Sequence, residues 1–286
     1  MSGTLFIVAT PIGNLQDLSP RARQTLADVD LIAAEDTRHT GRLLSHFGVK
    51  TRLLALHDHN EADRIATVVG KLEAGKSVAL VSDAGTPLIS DPGYRLVQAA
   101  HEAGITVSPI PGPSALTAVL SAAGLPTDSF CFEGFLPAKK KARCDVLAGL
   151  AGEQRTMVFY ESVHRIGECL DDMIDAFGKS RRACVAREVS KLHEQLVLAS
   201  LAELRDQVTA GDIKAKGEFV IVVAGAENAR TGSTDVDVLL RELAGKLPDK
   251  EVARILARAT GAKRNAVYQH LIDIKTHAGD GGGDAT

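Results

Sequence analysis

Short apolar runs alternate with amphipathic stretches along the first third of the chain. The segments "TLFIVAT" (4–10), "LIAAED" (31–36), "RLLAL" (52–56), "SVALVS" (77–82) and "ITVSPI" (105–110) have the length and apolar content of buried strands. Between them, apolar residues recur at helical spacing, and Ser19–Pro20 and Gly75 are typical of a helix start and a helix end. Strands that alternate with helices in this way predict a parallel sheet with helices on both faces.

The pattern changes between residues 113 and 226. A helix rich in small residues is expected over 113–124, and five β-rich runs follow it: "FCFEGFLP", "TMVFYES", "RRACVAREVS", "HEQLVLAS" and "GEFVIVVAG". The third and fourth runs are close enough to form a hairpin, which favours mixed or antiparallel pairing. The sequence therefore predicts a second α/β domain with a mixed sheet.

The end of the chain predicts a third kind of structure. Residues 227–235 are polar and typical of a linker, whereas 236–277 have helical periodicity interrupted at Pro248 and Gly261, similar to a helix-turn-helix. The segment 278–286 is expected to be disordered. We predict an α/β protein with an N-terminal α/β domain (1–111), a second α/β domain (112–226) and a small C-terminal helical module.

Composition narrows the class of protein. A hydrophobic fraction of 45% and a charged fraction of 24% are ordinary for a soluble protein, and a net charge of −3 leaves nucleic-acid binding to local basic patches. The four cysteines are spread out, which argues against a zinc site or a disulfide framework and fits a reducing compartment. The N-terminus is unlike a signal peptide, and no apolar run approaches the ~20 residues of a membrane span. We expect a cytoplasmic protein without a membrane partner.

Loop chemistry collects where the predicted parallel strands end. The segments "TPIGN", "EDTRHT", "HDHNE", "SDAGTP" and "PGPSA" follow the five strands in turn. Ligands of open parallel sheets bind beyond the carboxyl ends of the strands, where small residues admit a close approach and helix N-termini offer free N–H groups. Asp83 could accept hydrogen bonds from a ligand there, and a simpler role in capping a turn stays open.

Several common catalytic motifs are missing from the sequence. It has no G-x-G-x-x-G fingerprint, no phosphate-binding loop of NTPases, no G-x-S-x-G and no H-E-x-x-H, and its loops combine Pro with Gly, which predicts a narrow slot. His57, Asp58 and His59 are the nearest approach to a metal cluster. Three neighbouring residues rarely converge on one ion, so we expect a hydrogen-bonded loop there and no metal.

Longer motifs resemble the tetrapyrrole-methylase superfamily, and more narrowly its ribosomal RNA branch, the small-subunit rRNA cytidine 2′-O-methyltransferases. These motifs, which run in order between residues 4 and 276, are "IVATPIGNLQDLSPRA", "AEDTRHTGRLL", "LHDHNE", "VSDAGTPLISDPG", "PIPGPSALTAVLSAAGLP", "FEGFLP", "FYESVHR" and "AREVSKLHE". Precorrin and uroporphyrinogen methylases instead have a Gly-rich first loop and Gly-Asp-Pro in place of Ser82-Asp83-Ala84. This departure argues against a tetrapyrrole substrate.

The resemblance implies a homodimer that holds S-adenosylmethionine in the cleft between two α/β domains. It also implies a cytidine of 16S ribosomal RNA as the substrate and no DNA partner. We expect the RNA within a 30S particle, and naked RNA stays open as the alternative. The cofactor-binding residues implied on this chain are Pro11, Asp83, Gly85, Thr86, Ser114, Ala115, Tyr160, Arg187 and Gly217.

Transfer to a ribose 2′-hydroxyl requires alignment of a poor nucleophile and favours a nearby base. The candidates in the second domain are Glu133, Glu161, Glu188 and Lys191, with Glu133 and Lys191 preferred. Each of them could instead form a salt bridge, for example Glu161 with Arg165 at i,i+4 spacing.

Three basic clusters are candidates for phosphate contacts. The first comprises Lys139, Lys140, Lys141 and Arg143, the second comprises Lys179, Arg181 and Arg182 in "GKSRR", and the third comprises Lys263 and Arg264 in the C-terminal module. A solvated helix start stays open for the first cluster. Phe130, Phe132 and Phe135 are expected in the core. Two other functions remain open, a tetrapyrrole methyltransferase and a DNA-binding regulator that senses a ligand.

Overall fold

The computed structural model describes residues 2–57, 61–226, 240, 242–243, 246–260 and 263–279. Their contacts divide the chain into two compact units, residues 1–225 and 226–286. Both predicted sheets lie in the first unit, and the predicted boundary between residues 111 and 112 falls between the last strand of one sheet and the helix that precedes the other. The predicted linker, 227–235, lies outside the described residues.

The N-terminal half of the first unit is a fully parallel sheet. Its strands are β1 (Thr4–Val8), β2 (Leu31–Ala34), β3 (Leu53–Ala55), β4 (Val78–Val81) and β5 (Thr106–Ile110), in the order β3-β2-β4-β1-β5. The helices between them are α1 (Pro20–Asp28), α2 (Thr37–His46), α3 (Glu61–Glu73) and α4 (Tyr94–Glu102). Every residue of β2 and β4 is buried because helices cover both faces, which confirms the predicted architecture.

The second sheet is mixed. Helix α5 (Ala115–Ala122) precedes β6 (Phe130–Phe135), β7 (Thr156–Ser162), β8 (Arg182–Arg187), β9 (Gln195–Ser200) and β10 (Glu218–Val223), which pair in the order β6-β7-β10-β8-β9. Strands β6 and β7 are parallel and the other pairs are antiparallel, including the predicted β8–β9 hairpin. One face packs against α5, and the other packs against α6 (Lys140–Gly149), α7 (Ile166–Phe177) and α8 (Leu201–Ala210).

Strand β6 contains a bulge at Glu133. Phe132 pairs with Val158 and Gly134 pairs with Phe159, so Glu133 has no partner of its own. Gly134 has φ 65°, a left-handed conformation that glycine adopts without strain. The bulge shifts the alternation of side chains along the strand, and Phe135 emerges 57% exposed although the sequence predicted it in the core.

The second unit contains α9 (Asp249–Thr260) and α10 (Arg264–Gly279). Its small core comprises Leu240, Val252, Ala253, Leu256, Val267 and Leu271. Helix α10 continues to Gly279, past the predicted end of the module at 277, and residues 280–286 lie outside the described part of the chain. Among the described residues, no helix combines the length and the apolar content needed to cross a bilayer.

Candidate active site

The loops after β1 and β4 meet at the point where the parallel sheet changes direction. The chain runs from β1 to β2 towards one edge of the sheet, and from β4 to β5 towards the other edge. The helices of these two connections, α1 and α4, therefore pack on opposite faces of the sheet. Such a switch point opens a crevice at the carboxyl ends of the strands. Across it, the Thr10 N–H donates to the Gly85 carbonyl (2.9 Å) and the Gly85 N–H donates to the Thr10 carbonyl (3.0 Å).

A third loop, between β5 and α5, joins this pair. The Thr86 hydroxyl donates a hydrogen bond to the Pro113 carbonyl at 3.0 Å. Gly85 has φ 83°, and a Cβ placed there would lie 3.3 Å from the Ile12 side chain, so the turn requires a residue without a side chain. The three loops form one wall of a cleft.

Cavity A lies between that wall and the second sheet and has a volume of about 330 Å³. Six residues that the sequence suggested for cofactor binding line it: Asp83, Gly85, Thr86, Ser114, Ala115 and Tyr160. Further lining residues include Glu35, Asp91, Phe135 and Glu161. The volume is in the range of small-molecule sites, and both sheets contribute to the walls.

Carboxylates dominate one side of cavity A. The Asp83 Oδ1 atom accepts a hydrogen bond from the Asp36 N–H at 3.0 Å, and the Asp83 N–H donates to Glu35 Oε2 at 3.4 Å. Burial raises the pKa of Asp91, a hydrogen bond with Ser82 opposes that rise, and nearby Asp83 adds to it. A cationic ligand would relieve this crowding of negative charge.

Aromatic rings and a helix N-terminus form the opposite side of cavity A. Ser114 begins α5 but makes no capping hydrogen bond with its side chain. Burial raises the pKa of Tyr160, whereas contacts with the Leu116 backbone N–H and the Ser114 side chain lower it, so the phenol lies at the first turn of α5. The rings of Tyr160 and Phe135 are 5.5 Å apart, edge to face. This side can contact a planar ring and an anionic group.

Cavity B, about 450 Å³, adjoins cavity A. The two cavities share Ile12, Asp83, Ala84 and Glu218. Cavity B is also lined by the first loop, including the predicted Pro11, by Lys191, and by four residues of α2, namely His39, Arg42, Leu43 and His46. Two ligands, one in each cavity, would contact each other next to these shared residues.

The segment after β8 reaches across to the first loop. Lys191 Nζ bonds Glu188 Oε1 and Glu218 Oε2, each at 2.9 Å, and its stem lies against Gly13. Burial lowers the pKa of Lys191, but the bonds to the two carboxylates outweigh this and leave it above its ordinary value. Lys191 is therefore a charged, positioning group and an unsuitable proton acceptor.

The other two predicted bases also depart from expectation. The Glu161 side chain is fully buried and lines cavity A, but Arg165 Nη2 holds its Oε1 at 2.6 Å, so the salt-bridge alternative is the one observed. Glu133 lies beside Cys131, where burial first and then this carboxylate raise the pKa of the thiol to about 11. Cys131 packs towards the core under α6–α8, and Glu133 is not among the residues that line cavity A or cavity B.

Two predicted cofactor residues act behind the site. Arg187 is buried, and its guanidinium donates to the Lys216 carbonyl and to the His193 carbonyl (3.0 Å for the latter). A Cβ on Gly217 would lie 2.3 Å from Glu188 Oε1, so this glycine leaves space for the Glu188 side chain. Arg187 and Gly217 hold the loops that carry Glu188 and Lys191 in place.

The basic clusters differ in exposure. Lys139, Lys140 and Lys141 are exposed at the start of α6, and Lys263 and Arg264 are exposed in the second unit. Arg143 departs from the prediction because it is fully buried, with its Nε atom 2.6 Å from Asp172 Oδ2. Of the suggested metal cluster, Asp58 and His59 lie outside the described residues, and the described part of the chain contains no group of His, Cys, Asp and Glu side chains that could hold an ion.

Asp91, Phe135, Glu218 and the α2 side chains are lining residues that the sequence did not single out. Asp91 follows Asp83 within the same quoted loop, and that proximity was an available signal. Helical spacing likewise puts His39, Arg42 and His46 on one stripe. Phe135 carried no such signal because the bulge decides its direction.

Comparison with known proteins gives consistent matches along the chain. The family described as Tetrapyrrole (Corrin/Porphyrin) Methylases matches residues 4–205, and the RsmI C-terminal HTH domain matches residues 230–275. The Ribosomal RNA small subunit methyltransferase I of Xylella fastidiosa is 54% identical over 270 residues, covering 93% of this chain and 98% of the relative. Its namesake from Escherichia coli O157:H7 is 50% identical over 273 residues, covering 95% of each chain.

A solved structure shows the same fold at lower identity. Uroporphyrin-III-C-methyltransferase from Thermus thermophilus superposes with a TM-score of 0.55 at 20% identity, and the match covers 78% of this chain and 94% of that chain.

Proposed function

The chain belongs to the tetrapyrrole (corrin/porphyrin) methylase family, in its small-subunit ribosomal RNA branch, and from this membership we propose that it methylates the ribose 2′-oxygen of a cytidine in 16S ribosomal RNA with S-adenosylmethionine. The observation that carries the proposal is cavity A, where six residues suggested for cofactor binding converge from both sheets. The RNA substrate is supported by relatives at 54% and 50% identity, both named for the small-subunit RNA.

The residues of cavity A fit the proposed cofactor. Asp83, Asp91 and Glu35 offer negative charge to its sulfonium and ammonium groups. The uncapped first turn of α5 offers N–H groups to its carboxylate, and Phe135 and Tyr160 offer ring faces to adenine. When bound, S-adenosylmethionine would supply a methyl group on positively charged sulfur, and the sulfur would keep the electron pair of the sulfur–carbon bond as the methyl carbon bonds to the ribose oxygen.

The protein's contribution is positioning and proton acceptance. Alignment of a bound nucleophile can lower a barrier by roughly 7–11 kcal/mol in favourable cases. Lys191, fixed between Glu188 and Glu218, holds the segment that borders cavity B next to the first loop. The hydroxyl proton leaves to water or to Asp83, a carboxylate shared by the two cavities.

We further propose how the RNA is held. Lys139, Lys140 and Lys141, together with Lys263 and Arg264, contact backbone phosphates, and the substrate is the cytidine within an assembled 30S particle. The active form is a homodimer in the cytoplasm, where ribosomal RNA is found.

Binding and methylation assays test the proposal. Calorimetry should show that S-adenosylmethionine binds, and mapping of methylated nucleotides should find one cytidine 2′-oxygen after incubation with small subunits. Asp83→Asn should weaken cofactor binding about tenfold or more, because a charged partner of the sulfonium is removed. Asp28→Asn, which removes an exposed carboxylate from the far end of α1, should leave it unchanged.

Other outcomes would select a different function. Methylation of a uroporphyrinogen-type substrate in place of RNA would indicate a tetrapyrrole methyltransferase. Absence of cofactor binding, combined with sequence-specific binding to DNA, would indicate a regulator.

A further inference from the structure

Helix α2 presents a stripe of nitrogen-bearing side chains to cavity B. His39, Arg42 and His46 line that cavity and are exposed, and the buried Leu43 lines it between them. Thr40 and Leu44 of the same helix are buried, and Leu44 packs in the apolar core against the sheet. The stripe follows from spacings of three and four residues, which bring side chains onto one helix face. One face of α2 therefore holds the helix to the sheet, and the adjoining face borders the cavity.

Arg42 is the cation of this stripe that no carboxylate neutralises within the described residues. Arg38, one turn earlier, bonds Asp36 at 2.8 Å, and Lys191 across cavity B is held by Glu188 and Glu218. An unpaired guanidinium next to two imidazoles is suited to a phosphate, because guanidinium donors match two phosphate oxygens at once.

Cavity B has carboxylates at its junction with cavity A and nitrogen-bearing side chains along α2. Its carboxylates Asp83 and Glu218 are the ones shared with cavity A, whereas the α2 stripe belongs to cavity B alone. A ligand with an anionic group and a hydroxyl would place the anion at α2 and the hydroxyl at the junction. A nucleotide within RNA has this form, because the 2′-hydroxyl and the 3′-phosphate are attached to adjacent carbons of the ribose.

We propose that cavity B is the subsite of the target nucleotide, and that Arg42, flanked by His39 and His46, binds the phosphate next to the ribose that is methylated. This inference rests on the proposed function and deepens it by assigning the RNA-facing residues of the site. Arg42 is here a specific substrate contact, distinct from the exposed lysines of α6 that carry general phosphate affinity.

The test compares Arg42→Gln with Lys71→Gln in the full-length protein. Lys71 is an exposed cation at the end of α3 and lines neither cavity, so Lys71→Gln removes the same charge as Arg42→Gln but from outside both cavities. Arg42→Gln should raise the KM for small subunits about tenfold to a hundredfold, because a charged hydrogen bond to phosphate is lost, and should reduce the salt dependence of binding by about one phosphate. The Kd for S-adenosylmethionine should not change, and Lys71→Gln should match the wild type in every measurement.

Arg42→Lys separates a bidentate contact from simple charge. Its salt dependence should match that of the wild type, but its KM should lie between those of the wild type and Arg42→Gln, because lysine cannot bond two phosphate oxygens with one planar group. If Arg42→Gln leaves the KM and the salt dependence at wild-type values, or weakens cofactor binding instead, the assignment of cavity B is wrong while the methyltransferase remains. If the wild-type protein methylates no RNA, the proposed function itself fails and this inference fails with it.

Discussion

At the scale of single residues, Gly13 lets the segment that carries Lys191 pack against the first loop, because Gly13 has no side chain in the space that Lys191 occupies. A Cβ on Gly13 would lie 2.3 Å from Lys191 Cγ, the inner part of that side chain, so the lysine must move. We expect Gly13→Ala to lower the free energy of unfolding by about 1–3 kcal/mol, as overpacking does. Methyl transfer should fall as well, since Lys191 leaves its place between the two carboxylates. Urea unfolding and a methylation assay check these two effects.

The matched control for Gly13 is Gly70. It lies inside α3, and no atom lies within 4 Å of the position of its Cβ. Gly70→Ala should raise the free energy of unfolding by about 0.5–1 kcal/mol, because alanine loses less conformational freedom in a helix. Equal destabilisation by the two substitutions would show that the contact with Lys191 does not matter.

Single residues also show the limits of prediction from sequence. Asp83, Gly85 and Thr86 were recognisable because they follow a buried strand directly, and the crevice of a parallel sheet lies there. Arg143 was misassigned within a run of basic residues. Its spacing of four from buried Leu147 puts both on the inner face of α6, a signal that helical periodicity contained. Its partner Asp172 lies on another helix, and that pairing could not be deduced from local pattern.

At the scale of elements, ion pairs of Lys191 with Glu188 and Glu218 hold the segment 188–194 in its conformation. Glu188 and Ser190 have φ of 51° and 67°, unfavourable for residues with side chains, and the Ser190 hydroxyl donates to Asp17 on the first loop. Burial raises the pKa of Glu188, but hydrogen bonds from Lys191 and from the Glu218 backbone N–H outweigh it, and the pKa lies below its usual 4.5. Ion pairing therefore stabilises a strained conformation.

The pH dependence of stability tests this account of the segment. Since the pKa of Glu188 is lower in the folded than in the unfolded protein, the unfolded state binds more protons between the two values. The contribution is complete above pH 4.5 and is lost as the pH falls through the folded pKa. Lys191→Met keeps the apolar stem over Gly13 but removes the charge, so its stability should depend less steeply on pH in this window. Denaturant unfolding at a series of pH values measures the slope, and identical slopes would exclude the ion pair as the cause.

Strand β6 explains why one part of the site escaped prediction. Alternation along "FCFEGF" fixes which side chains share a face only while every residue is paired. The unpaired Glu133 shifts that alternation, turning Phe135 to cavity A and leaving Glu133 beside Cys131. The Gly at 134 is compatible with a bulge but also with an ordinary strand, so the sequence alone does not distinguish the two.

At the scale of the whole molecule, the alternation of strands and helices predicted two sheets but left their strand order open. The order β3-β2-β4-β1-β5 decides that the loops after β1 and β4 are neighbours, and hence where the crevice lies. Pairing of distant strands depends on contacts between segments far apart in sequence. The resemblance to a family could indicate the cleft, whereas hydrophobic pattern could indicate only the edge of the sheet that carries it.

The second unit has its own core, and the residues that line cavities A and B belong to the first unit. We expect Lys263→Gln combined with Arg264→Gln to raise the KM for small subunits severalfold and to reduce the salt dependence by up to about two phosphates. The Kd for S-adenosylmethionine should stay the same, since both cavities are formed within the first unit. Filter binding of small subunits over a range of salt concentrations, with calorimetry for the cofactor, measures both quantities.

Lys246 is the matched control within the same unit, because Glu242 at 3.2 Å already neutralises much of its charge. Lys246→Gln should therefore leave the salt dependence close to that of the wild type. If the double substitution also has no effect, the unit does not contact phosphate through this pair, and RNA affinity must come from the lysines of α6 and from Arg42. If the double substitution abolishes methylation while RNA binding persists, the unit is needed for the geometry of the bound substrate, because loss of two phosphate contacts alone changes affinity and leaves the methyl-transfer step intact.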